Sequence, residues 1–522
     1  MLNIKDKQTQ VVLLSSTAIA LYGYDQGMMS LVNTNTSYLK TMGIAEEDPM
    51  VGIIVSVYYL GTAVGAVTAA WYADKKGRKP GTLVCVGIAA LGNLIMFIAG
   101  LGGIGHAIWL MLLGRVVMGF GVGGLDAVVP VYTAELQDDD ARGVALAQEF
   151  QANIFGLLTA FVINLVVTYT LGKSNQWAWR IPIIAMQIYP ILLISGTTLL
   201  PETPRWLVMH GDEDRAKNAI EMVYGQDAVD DHLGELKEAH EKEEKDGLIS
   251  WSDMLRPSGS QFHPTVVTVM GQVNQALTGY GAVSVYGPQI FELLGFGVKP
   301  AEFLTLGNYI FYFLTMTFAW ILIDKKGRRY LLIAGSIALT VGFALLTLLG
   351  GLAQSRQELD IPIPATGIPG IVVLYLATSA FGIGWLVPPW LIPTEIYPSS
   401  ARANGAAVSV VTWGLANFAV TLLTPIMFNN LKYWLFLVFT ATNLFAGWWT
   451  FEYLPESGVR SFEENQEFFT DAAEHGSWSV RKVRDGEFRS LPDEKNDQEG
   501  GDGKKDKAKK SDEREPLLSR SD

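Results

Sequence analysis

One charged phrase occurs twice in this chain, between long apolar runs, and that repetition restricts the possible folds more than any other feature. Asp74-Lys75-Lys76-Gly77-Arg78-Lys79 returns as Asp324-Lys325-Lys326-Gly327-Arg328-Arg329, 250 residues later. Glu135 followed by Arg142 returns as Glu395 followed by Arg402. Pro201-Glu202-Thr203-Pro204-Arg205 has a looser echo in Pro455-Glu456-Ser457-Gly458-Val459-Arg460. Three signatures in one order, at nearly one spacing, indicate a duplicated unit.

That unit belongs in a membrane. Hydrophobic residues make up 49% of the chain and charged ones only 17%, against roughly 25% charged in a soluble domain. Segments near 11–31, 50–72, 81–101, 107–132, 146–170, 180–200, 265–292, 301–323, 331–352, 368–392, 403–428 and 432–453 are apolar. At about 20 residues each, they are long enough to cross a bilayer. Unpaired backbone groups are too costly in lipid, so each span should be a helix. The expected fold is an all-α membrane protein with twelve transmembrane helices in two six-helix halves. The halves cover 1–200 and 263–455, a helical loop covers 201–262, and a tail covers 456–522. Repeats arranged this way hold a substrate between them.

The net charge of −13 sums an acidic loop, an acidic tail and basic short turns, so it points to no nucleic-acid partner. The single cysteine, Cys85, excludes an internal disulfide. Residues 1–10 are short and polar, unlike a cleavable leader. The lysines and arginines of the two basic turns place both turns, and with them both termini, in the cytoplasm. The connection 32–49 then lies outside and carries a glycosylation triplet, Asn35-Thr36-Ser37. Between Asp212 and Lys245, apolar residues such as Ile220, Val223 and Leu233 recur at helical spacing, which predicts amphipathic helices on the inner face. After about Phe469 the composition turns polar and predicts disorder. There Glu513 precedes Leu517-Leu518 in the manner of a signal read by sorting adaptors.

Together these motifs carry a resemblance. Tyr24-Asp25-Gln26-Gly27, the two basic turns and Gly114-Arg115 with Gly119, Gly121 and Gly123 all resemble the sugar porters of the major facilitator superfamily. So do Pro130 to Glu135, Pro201 to Trp206, Pro389-Trp390, Glu395 with Pro398, and Pro455-Glu456. The likeness runs over residues 11–465, and its style resembles fungal members. It implies a secondary transporter of a sugar or related polyhydroxylated solute. It also implies a gate at the cytoplasmic helix ends, built from Asp74, Arg78, Glu135, Arg142, Arg205, Asp324, Arg328, Glu395 and Arg402. Glycines in span four are read as a helix-packing face.

Ionisable residues within spans are costly and mark function. Asp25 and Arg115 form such a pair. In proton-coupled members the matching aspartate takes the proton and the matching arginine tunes it, which implies symport. Asp126 and Glu149 are less expected, and are candidates for an inner proton path or for shallow, water-reaching positions. The substrate site implied by the resemblance comprises Phe150, Gln151, Gln272, Asn274, Gln275, Tyr286, Trp390 and Asn417. It departs from the hexose pattern, because Ala276, Gly281 and Phe150 stand where amides are usual. Each lost amide leaves a hydroxyl without a partner, at roughly 1–3 kcal/mol. A glycoside, disaccharide, polyol or sugar acid is as open as a hexose or pentose. A facilitative uniporter and a nutrient sensor are the alternative readings. Six scattered histidines, no metal-ligand spacing and no phosphate loop argue against an enzyme, a cofactor or ATP-driven transport. The expected location is the plasma membrane or the vacuolar membrane.

Overall fold

A computed structural model describes residues 7–46, 48–103, 105–136, 142–246, 249, 251–355, 363–458, 462–474 and 476–483. Among these residues there is no strand. Span one is Lys7–Val32, two is Pro49–Lys76, three is Arg78–Ile98, four is Ala107–Ala134 and five is Arg142–Leu171. Span six is split into Gln176–Ala185 and Ile188–Leu199. Span seven is Phe262–Leu277, Tyr280–Val285 and Gly287–Leu293. Span eight joins Val298–Thr315 to Thr317–Lys326 with a bend of 42°. Span nine is Arg328–Gln354. Span ten runs through Ile363–Phe381, a π-helical turn at Gly382–Leu386, and Pro388–Ile396. Spans eleven and twelve are Ser399–Leu431 and Leu435–Tyr453.

Among the described residues, eight apolar stretches qualify as spans on length and composition alone, and Ser400–Tyr453 holds both eleven and twelve. Span eight qualifies once its bent pieces are joined. Spans one and seven fall short. Asp25 and Gln26 interrupt the first, while Gln272, Asn274, Gln275 and two breaks interrupt the seventh. The weakest apolar signals therefore belong to helices that carry polar site residues.

Each half has its own apolar core, and the two cores interlock. Phe150 and Ile154 of span five pack into the C-terminal core, while Tyr286 and Trp413 pack into the N-terminal one. Glycine makes the close approaches of the N-terminal half possible. A β-carbon at Gly119 or Gly123 would strike the backbone of Tyr58 or Thr62 in span two, and one at Gly121 would strike Ala89 in span three. Such contacts replace the hydrophobic drive that lipid removes.

The segment after span six folds into Pro204–Met209, Glu213–Tyr224 and Val229–Asp246 around Leu207, Ala219, Ile220 and Leu233. This matches the amphipathic reading of 212–245. Two other expectations need correction. The tail does not lose order at Phe469: a helix runs Phe462–Glu474, and a short one follows at Val480–Val483. Phe468, Phe469, Ala472, Val480 and Val483 give it an apolar face buried in the C-terminal core, and Trp478 stacks on His263 at 4.6 Å. Glu513, Leu517 and Leu518 lie outside the described residues. Nor is the triplet at Asn35 presented for glycosylation. Asn35 is buried, and its Oδ1 caps the helix Thr36–Met42 by accepting from the Tyr38 N–H at 3.0 Å.

Candidate functional site

Span one delivers Asp25 into the middle of the N-terminal half, facing Arg115 on span four. Asp25 is 2% exposed and Arg115 1%. The Arg115 Nη1 donates to Asp25 Oδ1. Arg115 is also held independently of Asp25. Its Nε donates to the Ile54 carbonyl at 3.2 Å and its Nη2 to the Val55 carbonyl at 3.1 Å. The guanidinium lies 4.7 Å from the centre of the Tyr58 ring. A buried charge pair lasts only when its remaining hydrogen bonds are made, and here span two makes them for the arginine.

At the end where the basic turns lie, the duplicated phrases form duplicated clusters. Arg78 pairs with Asp74 at 2.7 Å and with Glu135 at 3.3 Å. Arg328 pairs with Asp324 at 3.1 Å and with Glu395 at 2.7 Å. Glu135 and Glu395 therefore meet the arginine of the basic turn. The side chain of Arg142 lies outside the described residues, and Arg205 and Arg402 are half-buried. Sequence reasoning missed the roles of Glu202 and Glu456, although the Pro-Glu repeat was their signal. Glu202 accepts from the Arg78 N–H at 3.0 Å and the Lys79 N–H at 3.1 Å. Glu456 accepts from the Arg328 N–H at 2.9 Å and the Arg329 N–H at 3.1 Å. Each carboxylate thus caps the start of the next helix, where N–H groups lack partners. Burial pushes both carboxyls above the ordinary glutamate range, and the backbone donors pull them part of the way back. Gly77 and Gly327, at φ 107 and 84, supply the left-handed turn between helices.

Of the predicted substrate residues, Phe150, Gln151, Tyr286 and Trp390 lie where the halves meet, and the amides of Gln151, Gln272, Gln275 and Asn417 face backbone. The Gln275 Nε2 donates to the carbonyls of Trp385 at 2.7 Å and Leu386 at 3.0 Å. Gln272 donates to the Pro389 carbonyl at 3.0 Å and to Ser409 at 2.6 Å. Gln151 donates to the Phe313 carbonyl at 3.1 Å, and Asn417 to that of Trp413 at 2.9 Å. The reason is local. Breaking span ten at Gly382–Leu386 frees carbonyls that lipid cannot satisfy, so span seven supplies amides. Asn274 is buried with neither side-chain atom partnered. Tyr286 lies 6.0 Å from Phe428, ring to ring. Aromatic rings join the halves: Phe150–Trp390 at 5.9 Å, Trp390–Trp413 at 5.7 Å, and Trp413 to Tyr22 at 5.2 Å and Tyr59 at 5.3 Å. Glu149 is buried near Ser15 of span one. Asp126 lies within electrostatic reach of Tyr22 and Tyr58.

At the opposite end lies a second cluster that no motif announced. The Lys173 Nζ, just past span five, donates to Glu302 of span eight at 2.8 Å, and the Tyr169 hydroxyl donates to the same carboxylate at 2.9 Å. Glu302 is 2% exposed, and the contact ties one half to the other.

A family model described as sugar (and other) transporter matches residues 11–469. The chain belongs to this sugar transporter family. It is a family of transporters, not enzymes. One relative is the MFS-type transporter oryC of Aspergillus oryzae, 28% identical, with 88% of this chain and 85% of that protein covered. Others are the glucose transporter GlcP of Staphylococcus epidermidis, 26% identical over 88% and 97%, and the sugar transporter STL1 of Saccharomyces cerevisiae, 27% over 90% and 83%. These sugar-transporter relatives come from bacteria as well as fungi, and a plant carrier of Ricinus communis also matches at 26%. A fungal type is therefore not singled out. In fold, the chain is similar to the proton:xylose symporter XylE bound to 6-bromo-6-deoxy-D-glucose. The TM-score is 0.74, with 21% identity, 88% of this chain and 99% of that chain covered.

Proposed function

We propose that the protein is a proton-coupled symporter of a sugar or related polyhydroxylated solute, working by alternating access between its two halves. The observation that carries this reading is the buried Asp25–Arg115 pair. The Arg115 guanidinium attracts Asp25 in its ionised form. A proton on Asp25 ends that attraction, yet Arg115 keeps the Ile54 and Val55 carbonyls and the Tyr58 ring. The arginine therefore stays in place while span one is released. A substrate that binds differently in the two protonation states is coupled to the proton.

The relatives named as glucose and sugar transporters support the substrate class, and the likeness in fold to XylE, a proton:xylose symporter, supports the coupling. In this cycle the basic turns face the cytoplasm. The clusters of Arg78 and Arg328 hold helix ends there, and the Lys173–Glu302 contact closes the outer side. The plasma membrane is the proposed site of action.

Uptake by reconstituted, de-energised vesicles tests the reading. An imposed inward proton gradient should drive accumulation of the transported sugar above its outside concentration, and Asp25→Asn should abolish that response. A wild-type protein that equilibrates sugar with no response to the gradient is a facilitator, and the coupling proposal fails.

A further inference from the structure

We infer that Asp126 is the substrate-binding carboxylate of the N-terminal half, accepting from adjacent hydroxyls of a neutral polyhydroxylated solute. This rests on the transport reading above and narrows its substrate class.

Four observations converge on Asp126. First, it forms no hydrogen bond or ion pair with any described residue, while Asp25 is fully engaged by Arg115. An unpaired carboxylate inside a membrane protein is costly, so water, a proton or a ligand must meet it. Second, part of its surface remains open, although residues 121–125 and 127–129 around it in span four are buried. Third, it stands eleven residues from Arg115, about three turns along the same inward face of span four. Its chain neighbour Ala127 packs with Ala66 and Val410, against which Trp390 rests. Asp126 is therefore level with the aromatic rings that join the halves. Fourth, of the amides expected to hold the solute, Gln151, Gln272, Gln275 and Asn417 have their donors committed, and Asn274 is fully enclosed. Gln272 and Gln275 satisfy span ten, and Asn417 satisfies its own helix.

The chemistry follows from these placements. A carboxylate has two acceptor oxygens and no donor. It suits two adjacent hydroxyls, both of which donate, and such charge-assisted bonds are stronger than those of an amide. Trp390 and Tyr22 are partly open beside it and offer ring faces to the apolar side of a sugar or polyol. A sugar acid brings a second negative charge and is repelled. Asp126 thus takes over part of the task that Ala276 and Gly281 no longer perform, and it acts on substrate instead of forming an inner proton path.

Counterflow in reconstituted liposomes tests this with a labelled hexose, pentose, linear polyol, sugar acid and amino sugar. Wild type should exchange at least one neutral solute and exclude the sugar acid. Asp126→Asn should raise the apparent KM for the neutral solute by about tenfold or more, the loss expected for one hydrogen bond to a charged group. Its maximal exchange rate and its response to a proton gradient should persist, and exclusion of the sugar acid should relax. Asp126→Ala, checked for monodispersity, should show the same KM defect and guards against a folding artefact. An unchanged KM in both variants overturns the inference. So does a lost proton response at unchanged KM, which would mark a proton path, and so does exchange of the protonated amino sugar alone. If wild type exchanges nothing in the panel, the sugar reading itself falls, and this inference falls with it.

Discussion

In the N-terminal half, spans two to five each run unbroken and span six is split, whereas in the C-terminal half spans seven, eight and ten are all interrupted. The two halves share an ancestry legible in their charged turns, and they use it differently. The first half is joined backbone to backbone through Gly119, Gly121 and Gly123, with one buried ion pair. The second gives up helical bonds and repairs them from the side. Thr442 donates to the Leu277 carbonyl at 2.7 Å and Asn443 to that of Thr278 at 3.0 Å, just as Gln275 serves span ten. Close packing resists bending, while side-chain repair allows it. The contrast assigns rigidity and charge to one half and pliability to the other.

The largest test of this division is Asp25→Asn. It should eliminate gradient-driven accumulation while exchange without a gradient continues, as isotope counterflow would show. No substitution in spans seven to twelve should give that combination. Next is Gln275→Leu, which leaves two carbonyls of span ten without their donor. It should destabilise the protein by about 1–3 kcal/mol for each orphaned group, measured by unfolding in detergent. Gly119→Ala should then cost about 1–3 kcal/mol through overpacking against span two. Gly281→Ala should cost little, since the added carbon would meet only Asn417 Oδ1 at 3.4 Å. Equal losses at the two glycines would break the contrast. The smallest effect concerns what the halves share. Glu202→Ala and Glu456→Ala should each lower stability by about 1 kcal/mol through a lost cap, and Glu→Gln at either site should cost less. Unequal losses would mean that the symmetry of the two turns is geometric only.

Much of this was legible beforehand, because the signals were local or repeated. Apolar length gave the spans, the repeated turns gave the two halves, and an aspartate and an arginine inside spans found each other. What stayed hidden depended on which element meets which. Gln275 reads as a sugar-binding amide until the break in span ten places two free carbonyls beside it. Lys173 and Glu302 are 129 residues apart, and no motif links them. The helix Phe462–Glu474 hid behind a polar composition, since its order comes from the surface that receives Phe468 and Phe469. Asn35 looked like an exposed acceptor because a triplet carries no information about burial.

The anchoring of Arg115 to the carbonyls of span two has an electrical consequence. With Asp25 ionised the pair is neutral, and with Asp25 protonated the fixed arginine leaves one positive charge in the core. In the proposed cycle the loaded carrier is therefore one charge more positive than the empty one. A resting potential, negative inside, would therefore favour net inward movement over the cycle, with up to roughly 2.3 kcal/mol available per 100 mV if the full field is crossed. Voltage, and not acidity alone, would then set how far the solute is concentrated.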